Sequence, residues 1–393
     1  MSEAATNTEK VAAGLSRLLI GMTGGLYGFD PEGDDTPRLL LPGVQPTALA
    51  TDPSDPARIY CSTYNRGLWR SDDAGDTWRP VGTPQNYYAR PTSGAIGPRE
   101  TTFVSVAPQA GADGRHAVWV GTELSSLYRS DDHGETFRLV TTFENFPSRR
   151  DWSFPPRPST HHVRWIAHDG ADRIYVSVEF GALLRSLDGG KTFEDRLEDS
   201  PLDTHVLLTH PAAPGRVYAA LGDGLMSHDR SYAESLDGGA TWHYSAKGLG
   251  DLIYLYGMAV DSADPDDIRI AASTGPRAAH GDNGPAWQSV ARSALSRLHL
   301  AHDGNGPSSI FRREGDKWVE DADGFPRDHS LIPVLASDPH QAGRWFALSN
   351  LGLFIKSAGD DRWRLLTNRS EWADMHAMSL TILRHDAGSP SGA

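Results

Sequence analysis

Three histidines stand where predicted strands begin, and their side chains are of the type that binds metal ions. His162, His205 and His376 occupy equivalent positions in three repeats of one sequence unit. Because neutral imidazole is the commonest metal ligand among protein side chains, these positions predict one divalent metal ion bound by all three. No spacing motif such as H-E-x-x-H occurs, so the alternative stays open that each histidine is a hydrogen-bonded structural residue of a central channel.

Two glutamates follow predicted strands of neighbouring units, Glu123 in GTELSS and Glu179 in SVEFGA. A pair of carboxyl groups can serve as acid and base, or as acid and nucleophile. With a histidine to carry protons and a tyrosine to donate to developing charge, the candidate catalytic set is Glu123, Glu179, His162 and Tyr256. Each glutamate alone is also compatible with a solvated loop charge.

Basic and aromatic side chains near the same strand ends could hold a substrate. Arginines can hold an anionic group, and the aromatic residues stand in long loops that would form the walls of a pocket. The candidate substrate-binding residues are Arg164, Arg230, His228, Tyr88 and Trp152.

Three insertions are predicted to lie on this same face, at 83–100, 141–160 and 274–307. Loops longer than about 12–15 residues usually carry function or are disordered. The third insertion has apolar residues at the i, i+3, i+4 spacing of an amphipathic helix. It is therefore predicted to form a lid over the site or a surface for a protein partner.

The elements that position these residues come from a repeat. One eight-residue pattern, S-x-D-x-G-x-T-[W/F], occurs four times, at 71–78, 130–137, 186–193 and 235–242. The serine and aspartate can bond nearby backbone N–H groups, the glycine supplies a positive φ, and the aromatic residue packs the next strand. Recurrence once per unit predicts a structural role for Ser71, Asp73, Ser130, Asp132, Ser186, Asp188, Ser235 and Asp237.

Around each turn the sequence alternates as four short strands, for which 47–52, 58–62, 67–70 and 78–81 are the template. Four antiparallel strands make one propeller blade. Six such units are legible, and the N-terminal strands at 18–29 together with the C-terminal strand at 376–383 supply a seventh. The prediction is an all-β fold, a single seven-bladed β-propeller over residues 15–385. Its ring is closed by pairing of the two chain ends. The tails 1–14 and 386–393 are predicted to be disordered.

The four turns are Asp-boxes, and the chain resembles the sialidase/neuraminidase-type Asp-box (BNR) repeat propellers. That group also includes sortilin-type receptor domains, photosystem II assembly-factor-like proteins and some xyloglucanases. The resemblance implies the fold but not one activity. The chain lacks the Arg-Ile-Pro segment of a sialidase and has seven predicted blades instead of six, so no sialidase catalytic residue is assigned to any position.

Composition narrows the choice of function. The 37 basic and 51 acidic residues give a net charge of −14, which argues against a nucleic-acid partner. A lone cysteine, Cys61, excludes an internal disulfide framework. The first 25 residues lack the basic start and apolar run of a secretory signal, and no apolar stretch reaches about 20 residues, so a cytoplasmic location without membrane contact is expected.

Two functional hypotheses follow. The first is a glycosyl-hydrolase-like or lyase-like enzyme that acts on a small polar or carbohydrate-like substrate, with or without a metal ion and without an organic cofactor. The alternative is a non-catalytic scaffold that binds a peptide or protein. An enzyme requires the candidate residues to converge on one point, whereas a scaffold spreads them over a broad surface.

Overall fold

Short apolar runs bounded by glycine and proline become short antiparallel strands, and these strands build seven sheets. A computed structural model describes residues 17–31, 33, 36–64, 66–82, 100–155, 157–275, 308–328 and 330–383. The predicted tails lie outside these residues. The seven sheets confirm the all-β, seven-bladed propeller prediction.

The sheets are numbered as blades in the order in which the chain completes them. Blade 7 also holds the first strands of the chain, β1 (Leu18–Met22), β2 (Gly25–Phe29) and β3 (Arg38–Pro42). Blade 1 contains β4 (Pro46–Asp52), β5 (Asp55–Thr63), β6 (Gly67–Ser71) and β7 (Arg79–Pro80). Blade 2 contains β8 (Thr101–Ala110), β9 (His116–Thr122), β10 (Leu127–Ser130) and β11 (Arg138–Leu139). Blade 3 contains β12 (Val163–Asp169), β13 (Arg173–Val178) and β14 (Ala182–Ser186).

The remaining strands follow the same order along the chain. Blade 4 contains β15 (Thr204–Thr209), β16 (Val217–Leu221), β17 (Tyr232–Ser235) and β18 (His243–Ser245). Blade 5 contains β19 (Tyr254–Val260), β20 (Ile268–Ser273), β21 (Ser309–Glu314) and β22 (Lys317–Glu320). Blade 6 contains β23 (Val334–Ser337), β24 (Trp345–Ser349), β25 (Gly352–Lys356) and β26 (Arg364–Thr367). Blade 7 is completed by β27 (Ala377–Ile382).

The inner strands form a closed ring. Each of β4, β8, β12, β15, β19 and β23 contacts the inner strand of the next blade, and β27 contacts β23 on one side and β4 on the other. Within blade 7, β27 pairs with β1, so that the strand order is β27-β1-β2-β3. The ends of the described chain therefore share one sheet.

The core fills the spaces between neighbouring blades. Phe346 and Leu348 of blade 6, for example, pack with Leu18 and Ile20 of blade 7, and all four are fully buried. Burial of such side chains contributes about 1.5–3 kcal/mol each. The inter-blade faces thus hold the ring together without disulfides.

The four repeated turns have nearly identical contacts. In the first, the Ser71 hydroxyl donates to Asp73 at 2.7 Å and accepts the Gly75 N–H at 2.8 Å. The Asp73 carboxylate also accepts the backbone N–H of Thr77 at 2.8 Å. Gly75 has φ +90°, which only glycine adopts without strain. The same bonds recur around Ser130 and Asp132, Ser186 and Asp188, and Ser235 and Asp237.

Blade 3 differs from the predicted pattern of four strands, because it has three. An isolated bridge from Arg185 to Glu194 stands where the fourth strand was expected. The segment after its turn bonds elsewhere: the Asp195 carboxylate accepts both the backbone N–H and the hydroxyl of Ser148. The Asp195 side chain is thus tied to the insertion at 141–160, at the place where the other blades continue into a fourth strand.

The other insertions are described only at their edges. Residues 83–99 and 276–307, the latter with the predicted amphipathic helix, lie outside the described residues. Insertion 141–160 contains two 3-10 turns, Thr141–Phe143 and Pro147–Asp151, and three more occur at Asp223–Leu225, His228–Arg230 and Ser370–Asp374. Among the described residues, no helix is long and apolar enough to cross a membrane.

Candidate functional site

A cluster of ionisable side chains lies where the inner strands of blades 3, 4 and 5 begin. Val163 at the start of β12 pairs with Val178 at the end of β13, whereas Ser186, where the repeated turn begins, pairs with Ile174 at the other end of β13. Residues just before β12 and just after β13 therefore meet on the face opposite the repeated turns. His162 and Glu179 occupy these two positions.

Glu179 is the centre of the cluster, and only 4% of it is exposed. Its Oε2 accepts a hydrogen bond from His162 Nε2 at 2.8 Å and lies 3.4 Å from Arg164 Nε. Its Oε1 lies 3.7 Å from His205 Nε2. Burial alone would raise the pKa of Glu179, but the charges and hydrogen bond of these neighbours, His162 first, lower it to about 2. Glu179 is therefore a buried carboxylate ion.

Asp203 is a second buried carboxyl group in a contrasting environment. Burial first, and then the nearby carboxylates of Glu179 and Asp223, raise its pKa well above the usual range. Asp223 fixes the loop in place, since its two oxygens accept the backbone N–H groups of Leu202 at 3.0 Å and Asp203 at 2.7 Å. Two neighbouring carboxyl groups thus have opposite tendencies to ionise.

His205 contacts both carboxyl groups. Its Nδ1 donates to the carbonyl oxygen of Leu255 at 2.6 Å. Burial lowers its pKa to about 4, so the ring is neutral near pH 7 and Nε2 bears a lone pair. That Nε2 lies 3.5 Å from Asp203 Oδ1. The rings of Tyr254 and Tyr256 both lie 4.8 Å from the imidazole.

Arg164 completes the cluster from the outward side. Its side chain is 16% exposed, and the guanidinium lies 4.9 Å from the centre of the Tyr256 ring. The Phe154 ring, from insertion 141–160, contacts the His162 ring edge-to-face at 4.9 Å. The structure thus brings together five of the predicted site residues, namely Glu179, His162, His205, Arg164 and Tyr256.

Glu123 forms a separate ion pair beside this cluster. Its backbone makes an isolated bridge with that of His162. Its carboxylate, however, accepts a hydrogen bond from Arg157 at 2.7 Å, and Arg157 also donates to the Tyr64 hydroxyl at 2.6 Å. The two predicted catalytic glutamates therefore have different partners.

Three predicted substrate contacts lie away from the cluster. His228 is exposed and donates to the carbonyl of Gly250 at 2.9 Å. Arg230 bonds to Asp199 at 2.8 Å, and its guanidinium lies 3.8 Å from the centre of the Tyr244 ring. Trp152 is 4% exposed and donates to Ser148 at 3.0 Å inside insertion 141–160, so its ring is part of the core. Tyr88 lies outside the described residues.

The predicted three-histidine metal site requires correction. His376 lies in blade 7, where its backbone N–H donates to Thr23 Oγ1 at 2.8 Å. Among the described residues, the group of His, Cys, Asp and Glu whose ligand atoms lie within 4.8 Å of one another is Glu179, Asp203 and His205. His376 is not a member because blade 7 lies three blades away around the ring from both blade 3 and blade 4.

Asp203 was not predicted as a site residue. A signal for Asp203 exists, since it stands two residues before His205 and therefore falls at the same end of β15. Asp223 follows β16 as Glu179 follows β13, at the equivalent strand end of the next blade.

Comparison with known proteins shows that this chain is similar in sequence to xyloglucanases. No family model matches the chain. The "Xyloglucanase" of Paenibacillus sp is 28% identical over 259 residues, covering 57% of this chain and 24% of that protein. "Xyloglucanase Xgh74A" of Acetivibrio thermocellus is 26% identical over 299 residues, covering 63% of this chain and 33% of that protein. The chain thus spans about a quarter to a third of these curated relatives.

Solved structures share the fold. The GH74 xyloglucanase of Xanthomonas campestris aligns with TM-score 0.58 at 17% identity, covering 91% of this chain and 53% of that one. The Niastella koreensis GH74 enzyme gives TM-score 0.61 at 15% identity, with 90% and 55% covered. A structure of YCF48 bound to D1 peptide gives TM-score 0.51 at 12% identity, with 88% and 90% covered. At these identities the likeness shows the propeller fold alone.

Proposed function

We propose that this chain is a glycosyl hydrolase-like enzyme that cleaves a carbohydrate-like substrate at the cluster on blades 3 to 5. The observation that carries the proposal is the hydrogen-bonded pair of Glu179 and His162, with Oε2 and Nε2 2.8 Å apart. The sequence similarity to xyloglucanases at 26–28% identity supports a carbohydrate substrate.

The pair has the arrangement of a carboxylate that orients a catalytic imidazole. Because a carboxylate ion only accepts, Nε2 of His162 donates to it, so the base form of the imidazole is the tautomer with its lone pair on Nδ1. Nδ1 is buried and has no hydrogen-bond partner among the described residues. A buried polar atom without a partner calls for an explanation, and in this proposal Nδ1 accepts a proton from the attacking water or a substrate hydroxyl.

Arg164 and Tyr256 are the groups assigned to hold the substrate. Arg164 is partly exposed and lies 3.4 Å from the orienting carboxylate, with its guanidinium 4.9 Å from the Tyr256 ring centre. A fixed cation next to the base stabilises negative charge that develops on a substrate oxygen. Both residues lie at β-bulges of inner strands, Arg164 in β12 and Tyr256 in β19, and a bulge re-aims the side chain of the extra residue.

The test is release of reducing ends from xyloglucan and a panel of other poly- and oligosaccharides. His162→Gln and Glu179→Gln are each expected to lower kcat by about 10²- to 10⁴-fold, the range typical of a lost acid or base. Glu123→Gln is the matched control, because its carboxylate bonds to Arg157 and not to His162. Equal loss in the control, or unchanged activity in His162→Gln, contradicts the assignment.

A second candidate is a non-catalytic scaffold that binds a peptide. One observation favours it: the structure of YCF48 bound to D1 peptide matches this chain over nearly the full length of both, 88% and 90%. The same variants separate the two candidates. A scaffold binds a peptide without turnover of any carbohydrate, and Glu179→Gln then changes the affinity for the peptide only.

A further inference from the structure

We propose that Glu179, Asp203 and His205 bind one divalent transition-metal cation. This proposal rests on the same site as the proposed function and adds a ligand to it. The three ligand atoms lie within 4.8 Å of one another, and all three residues are buried. Glu179 follows β13, Asp203 precedes β15, and His205 lies within β15.

The orientation of His205 is the first argument. Its Nδ1–H is committed to the carbonyl of Leu255 at 2.6 Å. Its Nε2 lone pair therefore points at two carboxyl oxygens, 3.5 Å away on Asp203 and 3.7 Å away on Glu179. Metal-binding histidines almost always donate their other ring N–H to a carbonyl or carboxylate, which fixes the ring in this way.

The spacing of the ligand atoms is the second argument. A tetrahedral zinc ion about 2.0–2.2 Å from nitrogen and oxygen ligands places those ligands about 3.3–3.6 Å apart. The two distances from His205 Nε2, 3.5 and 3.7 Å, are close to this range. They are also too long for good hydrogen bonds.

The surroundings of the three ligands are the third argument. His162 and Arg164 both contact Oε2 of Glu179, whereas Oε1 lies on the side of His205. Asp203 is held by its backbone N–H bond to Asp223 at 2.7 Å. Gly222 makes room for its carboxylate, because a Cβ there would lie 2.0 Å from Asp203 Oδ2. The side chains of Glu179 and Asp203 are thus held in position by neighbours that are not themselves proposed metal ligands.

The ligand types indicate which cation fits. Calcium and magnesium prefer all-oxygen sites with six or more ligands, whereas an imidazole with two carboxylates suits zinc or manganese. Three protein ligands leave at least one position open to water or substrate, as in catalytic zinc sites. The proposal therefore specifies a zinc-like ion.

The experiment measures metal binding by the whole 393-residue chain, without reference to activity. Chelator-treated wild type, Asp203→Asn, His205→Gln and His116→Gln are dialysed against micromolar free Zn²⁺, and bound zinc is quantified by plasma mass spectrometry. The control His116 is also buried and donates Nδ1–H to a backbone carbonyl, that of Ala107 at 2.7 Å, but is not part of the cluster. Melting temperature with and without Zn²⁺ is recorded for each variant.

We expect about one zinc per chain in wild type and in His116→Gln, with a higher melting temperature when zinc is bound. Asp203→Asn and His205→Gln should each fail to bind this zinc ion. If one of the two variants does not fold, the other one tests the proposal. Absence of bound zinc in wild type, or full binding in both cluster variants, overturns the proposal. Zinc binding without carbohydrate turnover would instead contradict the proposed function and leave this inference standing.

Discussion

Gly222 lies directly against Asp203: a Cβ at residue 222 would be 2.0 Å from Asp203 Oδ2 and 2.9 Å from Cε1 of His205. The backbone of Gly222 has φ −85° and ψ −10°, which any residue adopts. Glycine is therefore required at this position by the side chains of the cluster and not by the backbone.

Gly222→Ala is the first prediction that follows. The added methyl must displace Asp203 or His205, so we expect bound zinc and carbohydrate turnover to fall at least tenfold. Overpacking should cost about 1–3 kcal/mol of unfolding free energy. Dialysis with Zn²⁺ and urea unfolding measure the two effects. Gly111→Ala is the control, since a Cβ there has its nearest neighbour at 3.4 Å; equal zinc binding in both variants would contradict the prediction.

The repeated turns should matter for stability alone. Asp188 accepts the backbone N–H of Thr192 at 2.9 Å, the Thr192 hydroxyl at 2.6 Å and the Ser186 hydroxyl at 2.8 Å. Asp188→Ala removes these acceptors and is expected to lower the unfolding free energy by about 1–3 kcal/mol, with unchanged kcat and zinc binding. Asp229→Ala, at a side chain 94% exposed, is the comparison that should change neither property. Loss of activity at unchanged melting temperature in Asp188→Ala would assign that aspartate a functional role.

Acid should destabilise the protein through a half-buried histidine remote from the cluster. Burial lowers the pKa of His168 to about 4, against an ordinary value of 6.5, and its Nε2 lies 3.0 Å from the Ser105 hydroxyl. The unfolded chain therefore binds the proton more readily between pH 6.5 and pH 4, and stability falls as pH decreases through that window. The loss from this residue is on the order of 3 kcal/mol below pH 4.

His168→Gln, which keeps a polar group near Ser105, should flatten that pH dependence. Urea unfolding at a series of pH values from 7.5 to about 4 measures the slope. His228→Gln is the comparison, because His228 is an exposed histidine of the same chain. An identical slope in wild type and His168→Gln would show that the imidazole is not held neutral in the folded state.

Removal of β27 should open the ring. Residues 377–382 pair with β1 along its whole length and also contact β4 and β23. A chain that ends at residue 376 exposes the edge of β1, and an unpaired strand edge pairs readily with other chains. We expect dimers and larger species by light scattering, with a lower melting temperature. A monomer of wild-type stability would show that the pairing is dispensable.

Much of the fold could be predicted from the sequence because each blade carries its own local signals. The alternating strands and the repeated turn fix the order of strands, and seven such units fill a ring. The predicted fourth strand of blade 3 was wrong. The backbone pairs there through an isolated bridge from Arg185 to Glu194, and the side chain of the next residue, Asp195, is held by Ser148 in an insertion, a long-range contact without a local signal.

The candidate site could be predicted only in part. Glu179, His162 and His205 meet because equivalent strand ends of neighbouring blades are close in space. The prediction for His376 was wrong because His376 begins a strand as His162 and His205 do, but its blade lies across the ring from theirs. Trp152 looked like a ligand contact because it is aromatic and stands in a long insertion, yet it fills the core of that insertion. Periodicity shows which residues begin strands, but not which insertions fold back on themselves.

The shared sheet of blade 7 also constrains how the molecule is made. The strand at 18–22 leaves the ribosome before its partner at 377–382, which follows only after most of the described chain has been synthesised. At 5–20 residues per second, the edge of the first strand stays unpaired for roughly 20–70 s. Nascent chains on one messenger RNA therefore have that long to pair with each other, and a chaperone that covers residues 18–22 would raise the yield of monomer.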